Sequence, residues 1–343
     1  MQIALLTPWL VKCGLSSYSY YLAHALAELG CESKVVRLSR FGTRDEAYYR
    51  NYAEEVSLDV DLISVQHEYG LLQWMELPFY QALRNRLTMF GREDVPIVTT
   101  MHATGNLRPD RTIRQFSDAV IVHNVFGAKQ FKFPCTVIPM GVQKVTKKVD
   151  SELAKRRWNV KGKTVGFFGF ISEYKGLEIL IRVLSGMENV SLIVGGGWHI
   201  DTKTPYMMSI QSYAARLMPK RTRWIGYVQE EDMPYFFSAC DVMFFGHHFI
   251  SESMSLLTAL AHGKATVASN MPAFNEKKPA VLTFKDGEDL KGKINALLNE
   301  PELRQMMEQN ALKYAQKFSW ENSAKMYIEL FQKLIEQKKE AKT

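Results

Sequence analysis

The feature that most constrains this 343-residue chain is a rhythm that runs twice. Short apolar stretches, each ending in polar or small residues, alternate with amphipathic helical stretches. IALLTPW reads as a first strand. Ser16 to Leu29 follows with apolar residues at helical spacing, stopped by Gly30. VVRL, DLISVQHE, PIVTTMHA, AVIVHN and TVIPMG continue as strands. The pattern breaks over Gly141 to Asp150, a polar segment without periodicity, and then restarts. TVGFFGF, VSLIVGG, RTRWIGYV, DVMFFG, ATVAS and AVLTF are the second set of strands, with Gly176 to Leu184 as a helix between the first two. Strands alternating with helices dictate a doubly wound parallel sheet with the ligand at the strand ends. The fold class is therefore α/β, with two Rossmann-like domains facing a central cleft. Residues 1–143 form the first domain and 151–318 the second. A final helix over about 320–343, set off by the break at Phe318–Trp320, packs back on the first.

Composition narrows the classes. At 46% hydrophobic and 23% charged residues the chain is globular rather than disordered. It has no apolar run of membrane-spanning length, and its N-terminus lacks the basic stretch of a signal peptide. The four cysteines are scattered without a CxxC pair, so no metal site or disulfide is expected and a reducing cytoplasm fits. The net charge of +7 suits acidic partners. No nucleic-acid module accompanies it, so phosphates and anionic lipid are the better partners. The segment LLQWMELPFYQALRNRL sets aromatics beside Arg84 and Arg86. It reads either as a helix packed on its own sheet or as a face for an anionic membrane carrying a lipid acceptor. The latter would place the protein peripherally on the inner face of the membrane.

Candidate chemistry lies where strands end. Gly14, between the first strand and helix, lets backbone N–H groups approach a phosphate. His67 and Glu68 put an imidazole beside a carboxylate, a pair that can orient an acceptor hydroxyl. His102 ends another strand. Gly169 and Phe170 end the first strand of the second domain, and Lys175 just before the next helix can pair with a diphosphate. Gly195, Gly196 and Gly197 permit close backbone approach. Ser253, with Met254, Ser255, Leu256 and Thr258 behind it, opens a helix whose free N–H groups make an anion site. Glu252 beside it can accept sugar or ribose hydroxyls. The absence of GxGxxG argues against a nicotinamide enzyme.

Taken together the segments resemble glycosyltransferase family 4. PWLVKCGLSSYSYYLAHALAELGCESKVVRL, ISVQHEYGLL, PIVTTMHAT, DAVIVHN and VIPMGV resemble its N-terminal blocks. FFGFISEYKGLEIL, LIVGGG, GYVQEEDMPYFFSACDV and LLTALAHGKATVAS resemble its C-terminal blocks. The resemblance implies the GT-B fold and transfer of a sugar from a nucleotide diphosphate donor, UDP- or GDP-linked, to an acceptor hydroxyl. The transfer proceeds with retention and without a metal or other cofactor. It implies Lys175 as the diphosphate lysine, Gly14 as the glycine turn, and His102 beside the donor sugar. Tyr227 and Val228 would lie around the base, with the backbone of Ser253 to Leu256 on the phosphates. It implies catalytic roles for His102, Glu252 and Lys175.

The pattern departs in three places. Phe170 stands where an arginine is common. The two glutamates eight residues apart would fall on Ile250 and Thr258, with Glu252 the nearest carboxylate. Cys13 replaces a frequent glycine. Losing one charge-assisted contact costs about 1.5–3 kcal/mol, which weakens binding without abolishing it. The expectation is a divergent but active hexosyltransferase. The alternative is a catalytically degenerate GT-B scaffold that serves as a binding or regulatory subunit.

Overall fold

The computed structural model describes residues 1–38, 45–197 and 205–342. Contacts divide the chain into two units, Met1–Gly141 with Phe318–Thr343, and Val142–Lys317. Each unit contains one six-stranded sheet among the described residues, and every strand pairing is parallel.

In the first unit the strands are β1 (Gln2–Thr7), β2 (Glu32–Arg37), β3 (Leu62–His67), β4 (Ile97–Met101), β5 (Ala119–Val122) and β6 (Thr136–Val137), in spatial order β2-β1-β3-β4-β5-β6. All six residues of β3 are buried, as a central strand covered on both faces requires. The helix Gly14–Glu28 buries Tyr18, Leu22 and Leu26, which share one face at four-residue spacing. Gly30, at φ 79°, supplies the left-handed turn that leads into β2. TVIPMG yields only a two-residue strand. Ile138 N–H still reaches the Val122 carbonyl at 2.9 Å, but Pro139 has no N–H with which to continue the ladder.

The helix Trp320–Glu340 belongs to this first unit. Its Tyr327 hydroxyl lies 2.7 Å from that of Tyr18 and 3.2 Å from Thr100 Oγ1, all buried. Lys338 pairs with Asp118 at 2.8 Å, and Lys342 with Asp94 at 2.9 Å. A Cβ on Gly141 would stand 2.2 Å from the Trp320 ring, so the chain leaves the first sheet where only glycine fits under that indole.

In the second unit β7 (Lys163–Phe168), β8 (Val190–Gly195), β9 (Thr222–Gly226), β10 (Val242–Phe245), β11 (Thr266–Ser269) and β12 (Leu282–Phe284) lie in the order β12-β11-β10-β7-β8-β9. The helix Leu177–Ser185 packs through Leu177, Leu180, Ile181 and Leu184, every one fully buried. The i, i+3, i+4, i+7 spacing is what makes one apolar stripe.

Candidate functional site

In the second unit three strand ends are sewn together by glycine backbone. Gly169 N–H donates to the Gly195 carbonyl at 2.9 Å, Gly196 N–H to Gly226 at 2.7 Å, and Ile171 N–H to Gly197 at 3.0 Å. A Cβ on Gly196 would stand 1.8 Å from the Gly169 carbonyl oxygen, so this closure excludes every side chain. Gly169 itself sits at φ 122°. Directly above it, Ser255 Oγ and Lys175 Nζ lie 2.8 and 3.0 Å from the position a Cβ would take. Two polar groups from separate elements therefore converge on one point at the end of β7.

Lys175 closes the short turn Glu173–Lys175, where its N–H bonds to the Ser172 carbonyl. The residue is 7% exposed. Among the described residues its ammonium has neither a hydrogen bond nor an ion pair, and the Tyr174 ring centroid is 5.7 Å away. Burial pushes its pKa down to about 8. A buried cation without a counter-ion is a standing cost in the free protein, and it makes the spot a receptor for an anion.

The helix Met254–Ala261 brings its N-terminus to the same place. Ser253 is its cap, with Oγ accepting from Leu256 N–H at 3.3 Å. Ser255 follows in the first turn, where N–H groups and the helix dipole favour negative charge. Glu252 does not stand free. Oε1 accepts from Ser253 N–H at 2.8 Å, and Oε2 accepts from Lys277 Nζ at 2.9 Å. Both partners of this ion pair are buried. The carboxylate expected to take sugar hydroxyls is instead built into the loop that presents the helix. Lys277 is a partner that the sequence reading missed, since nothing local links residues 25 apart. Thr258 is also turned inward, its hydroxyl donating to the Met254 carbonyl at 2.9 Å. Phe170 is half-buried, Tyr227 is exposed, and Val228 is buried beside it.

One further residue joins this group. His247 is buried, and its Nδ1 has no hydrogen-bond partner. Burial, and secondarily Lys175 and His248, push its pKa down to about 3. It is therefore neutral and does not compete with Lys175 for an anion. The paired histidines of the GHHF stretch were the available sequence signal.

In the first unit Gly14 opens the helix Gly14–Glu28, and a Cβ there would meet nothing within 4 Å. Cys13 caps that helix, its Sγ accepting from Ser16 N–H at 3.4 Å. His102 follows β4. Its Nε2 lies 2.9 Å from Gln66 Oε1, and its Nδ1 3.3 Å from Nε2 of His123. Burial and the neighbouring His123 and His67 hold its pKa well below the usual histidine value, so the ring is neutral. Both ring nitrogens already face protein partners.

His67 and Glu68 are separated rather than joined. His67 is fully buried and pairs through Nε2 with Glu76 at 3.0 Å. Glu68 caps the short helix Tyr69–Leu72 by accepting from Gly70 N–H at 3.2 Å. His67 ends β3 while Glu68 is committed to capping the helix that follows, and the imidazole finds its carboxylate nine residues on. Arg84 and Arg86 are also engaged internally, on the carbonyls of Phe116 and Val56, and Arg84 pairs with Asp118.

These elements have known counterparts. Residues 148–314 match the family model of glycosyl transferases group 1. The match falls within the second unit, on the segment that carries Lys175, Ser253 and Ser255. Over 147 residues the chain is 28% identical to the D-rhamnosyltransferase WbpZ of Pseudomonas aeruginosa, covering 42% of this chain and 37% of that protein. Over 201 residues it is 26% identical to the D-inositol 3-phosphate glycosyltransferase of Corynebacterium urealyticum, covering 54% and 46%. The chain thus spans less than half the length of these relatives. Among solved structures, sucrose-phosphate synthase from Thermosynechococcus elongatus superposes with a TM-score of 0.78 at 16% identity, over 98% of this chain and all of that one. Anabaena Alr3699/HepE, solved in complex with UDP and glucose, gives 0.76 at 18%, over 97% and 100%. The fold is GT-B.

Proposed function

We propose that this protein is a glycosyltransferase that takes a sugar from a nucleotide diphosphate donor to an acceptor hydroxyl. The observation that carries the reading is the unpaired, buried Lys175 ammonium. It shares a point above Gly169 with the Ser255 hydroxyl, at the N-terminus of the helix Met254–Ala261. Such a place suits a diphosphate. Charge that builds on the leaving oxygen is met by an ammonium and by fixed N–H dipoles in a dry site, where both act strongly. The family match over the second unit and the fold shared with Alr3699/HepE support this reading.

In the proposed reaction the bond from the anomeric carbon to the phosphate oxygen breaks as the acceptor oxygen bonds to that carbon. The acceptor attacks on the face the diphosphate leaves, so configuration is retained, and the hydroxyl proton passes to the departing phosphate oxygen. No metal is assigned a role, because Lys175 and the helix terminus can meet the diphosphate charge. Gly169, Phe170, Tyr227 and Val228 bound the donor's place, with the first turn from Ser253 to Leu256 on its phosphates. Glu252 acts through Ser253 as a positioning residue. In the first unit Gly14 leaves open room for a phosphate, His102 offers a neutral ring at a strand end, and His67 and Glu68 shape the loops that receive the acceptor. Four free cysteines support a cytoplasmic setting. Among the described residues no helix is long and apolar enough to cross a membrane.

The test is titration calorimetry with UDP, GDP and ADP, followed by the matching sugar conjugates. One nucleoside diphosphate should bind, and Lys175→Met should weaken it by about 1.5–3 kcal/mol. No binding by any of the three would shift the reading to a catalytically degenerate scaffold.

A further inference from the structure

Trp74 is the one exposed tryptophan among the described residues, at 60% of its surface. It lies in the loop after β3, at the ligand-facing end of a parallel sheet. Its indole is not loose. It stacks on Tyr69 with centroids 5.9 Å apart and planes 16° from parallel. Tyr69 is buried, and its hydroxyl donates to Asp110 Oδ1 at 2.6 Å. Asp110 Oδ2 in turn accepts from Leu107 N–H at 3.2 Å, which ties in the loop after β4. From another side the His67 ring meets Tyr69 edge-on at 5.2 Å, itself held by Glu76. The backbone is committed as well. Gln73 and Trp74 are consecutive non-glycine residues in the left-handed region, at φ 53° and 64°. Strain of this kind persists only where the surroundings over-determine it, and it concentrates at ligand sites.

We propose that Trp74 is the stacking platform for a pyranose ring of the acceptor, so that the acceptor is a glycan. The flat apolar C–H face of a pyranose matches the uncovered face of an indole. Polar side chains of the same loop, exposed Gln73 and half-buried Glu68, are available to its hydroxyls. An indole that only enters a bilayer needs no fixed orientation, whereas this one is fixed through Tyr69 from two loops. The cations of the same segment, Arg84 and Arg86, face inward rather than toward lipid headgroups. The term acceptor rests on the transferase reading above; the stacking itself does not.

The test uses the full chain and saturation-transfer NMR with methyl glycosides of glucose, mannose and galactose. At least one should take up saturation on a single C–H face. Trp74→Ala should weaken that sugar about tenfold or more, and Trp74→Phe should keep most of the affinity. Calorimetric binding of the nucleoside diphosphate should stay unchanged in both variants, and Trp74→Ala should lower the melting temperature by no more than the few degrees that loss of the Tyr69 stack costs. Three outcomes would overturn the proposal: no saturation of any glycoside by the wild type, saturation indifferent to Trp74→Ala, or an effect of Trp74→Ala only on co-sedimentation with phosphatidylcholine–phosphatidylglycerol vesicles. Absence of nucleotide binding in the wild type, with sugar stacking intact, would instead sink the transferase reading alone.

Discussion

Glu252 and Lys277 form an ion pair of 2.9 Å in which both side chains are almost wholly out of water. Each partner makes a further hydrogen bond, Glu252 from Ser253 N–H and Lys277 to the Ala273 carbonyl. Breaking such a pair from one side leaves a buried charge alone. Lys277→Met or Glu252→Gln should therefore cost about 3–5 kcal/mol of stability in denaturant melts. The double replacement by methionines should recover most of that loss. A single-variant loss below about 1 kcal/mol would show that the pair is solvated.

Lys175 sets function against stability. Its ammonium is buried without a counter-ion, and folding lowers its pKa to about 8. The unfolded chain binds the extra proton between that value and the ordinary lysine range. This group's contribution to stability therefore rises with pH across that window. Lys175→Met should raise the ligand-free stability by on the order of 2 kcal/mol near neutral pH while weakening nucleotide binding. Wild-type affinity for UDP or GDP should decline as pH rises through about 8. A variant that loses stability and keeps affinity would remove Lys175 from the site.

Acid should destabilise the protein through its neutral histidines. Burial, with Lys264 adding to it for His262, brings His247 to about 3 and His262 to about 4, and His102 is held well below the usual value. Below about pH 6.5 the unfolded chain takes protons that these folded rings refuse. Stability present above that pH should thus fall by up to about 1.4 kcal/mol per pH unit for each such histidine. Histidine NMR titrations should show three rings that do not shift between pH 7 and 5.

Two glycines separate backbone necessity from open space. Gly196→Ala forces a Cβ into the Gly169 carbonyl and should cost several kcal/mol, about 3 or more, read by thermal melting. Gly14→Ala meets nothing and lies in a helix, so stability should hold or rise by about 0.5–1 kcal/mol. Any loss of nucleotide affinity in Gly14→Ala would then report a ligand phosphate approaching that turn.

Most of the fold was legible because periodicity is a local property. The apolar runs from IALLTPW to AVLTF all contain strands, and TVIPMG gives the shortest, two residues ended by Pro139. Site chemistry was legible where one loop carries it, as in Ser253 capping its helix or Lys175 closing its turn. It was not legible where a side chain chooses between partners. Glu252 faces Lys277, His67 faces Glu76 rather than Glu68, and the Thr258 hydroxyl turns back to its own helix. Each choice is decided by which face of a strand or helix meets which distant element, and no spacing in the sequence records that.

The helix Trp320–Glu340 completes the first unit with residues made after the whole of the second. Until it emerges from the ribosome, Tyr18 and Thr100 lack the Tyr327 hydroxyl, and Asp118 lacks Lys338. The second unit, continuous in sequence, can close its own core during synthesis. The first unit therefore starts before the second and closes only after it, and a nascent chain stalled before residue 320 would carry a settled second unit and a first unit still missing one wall.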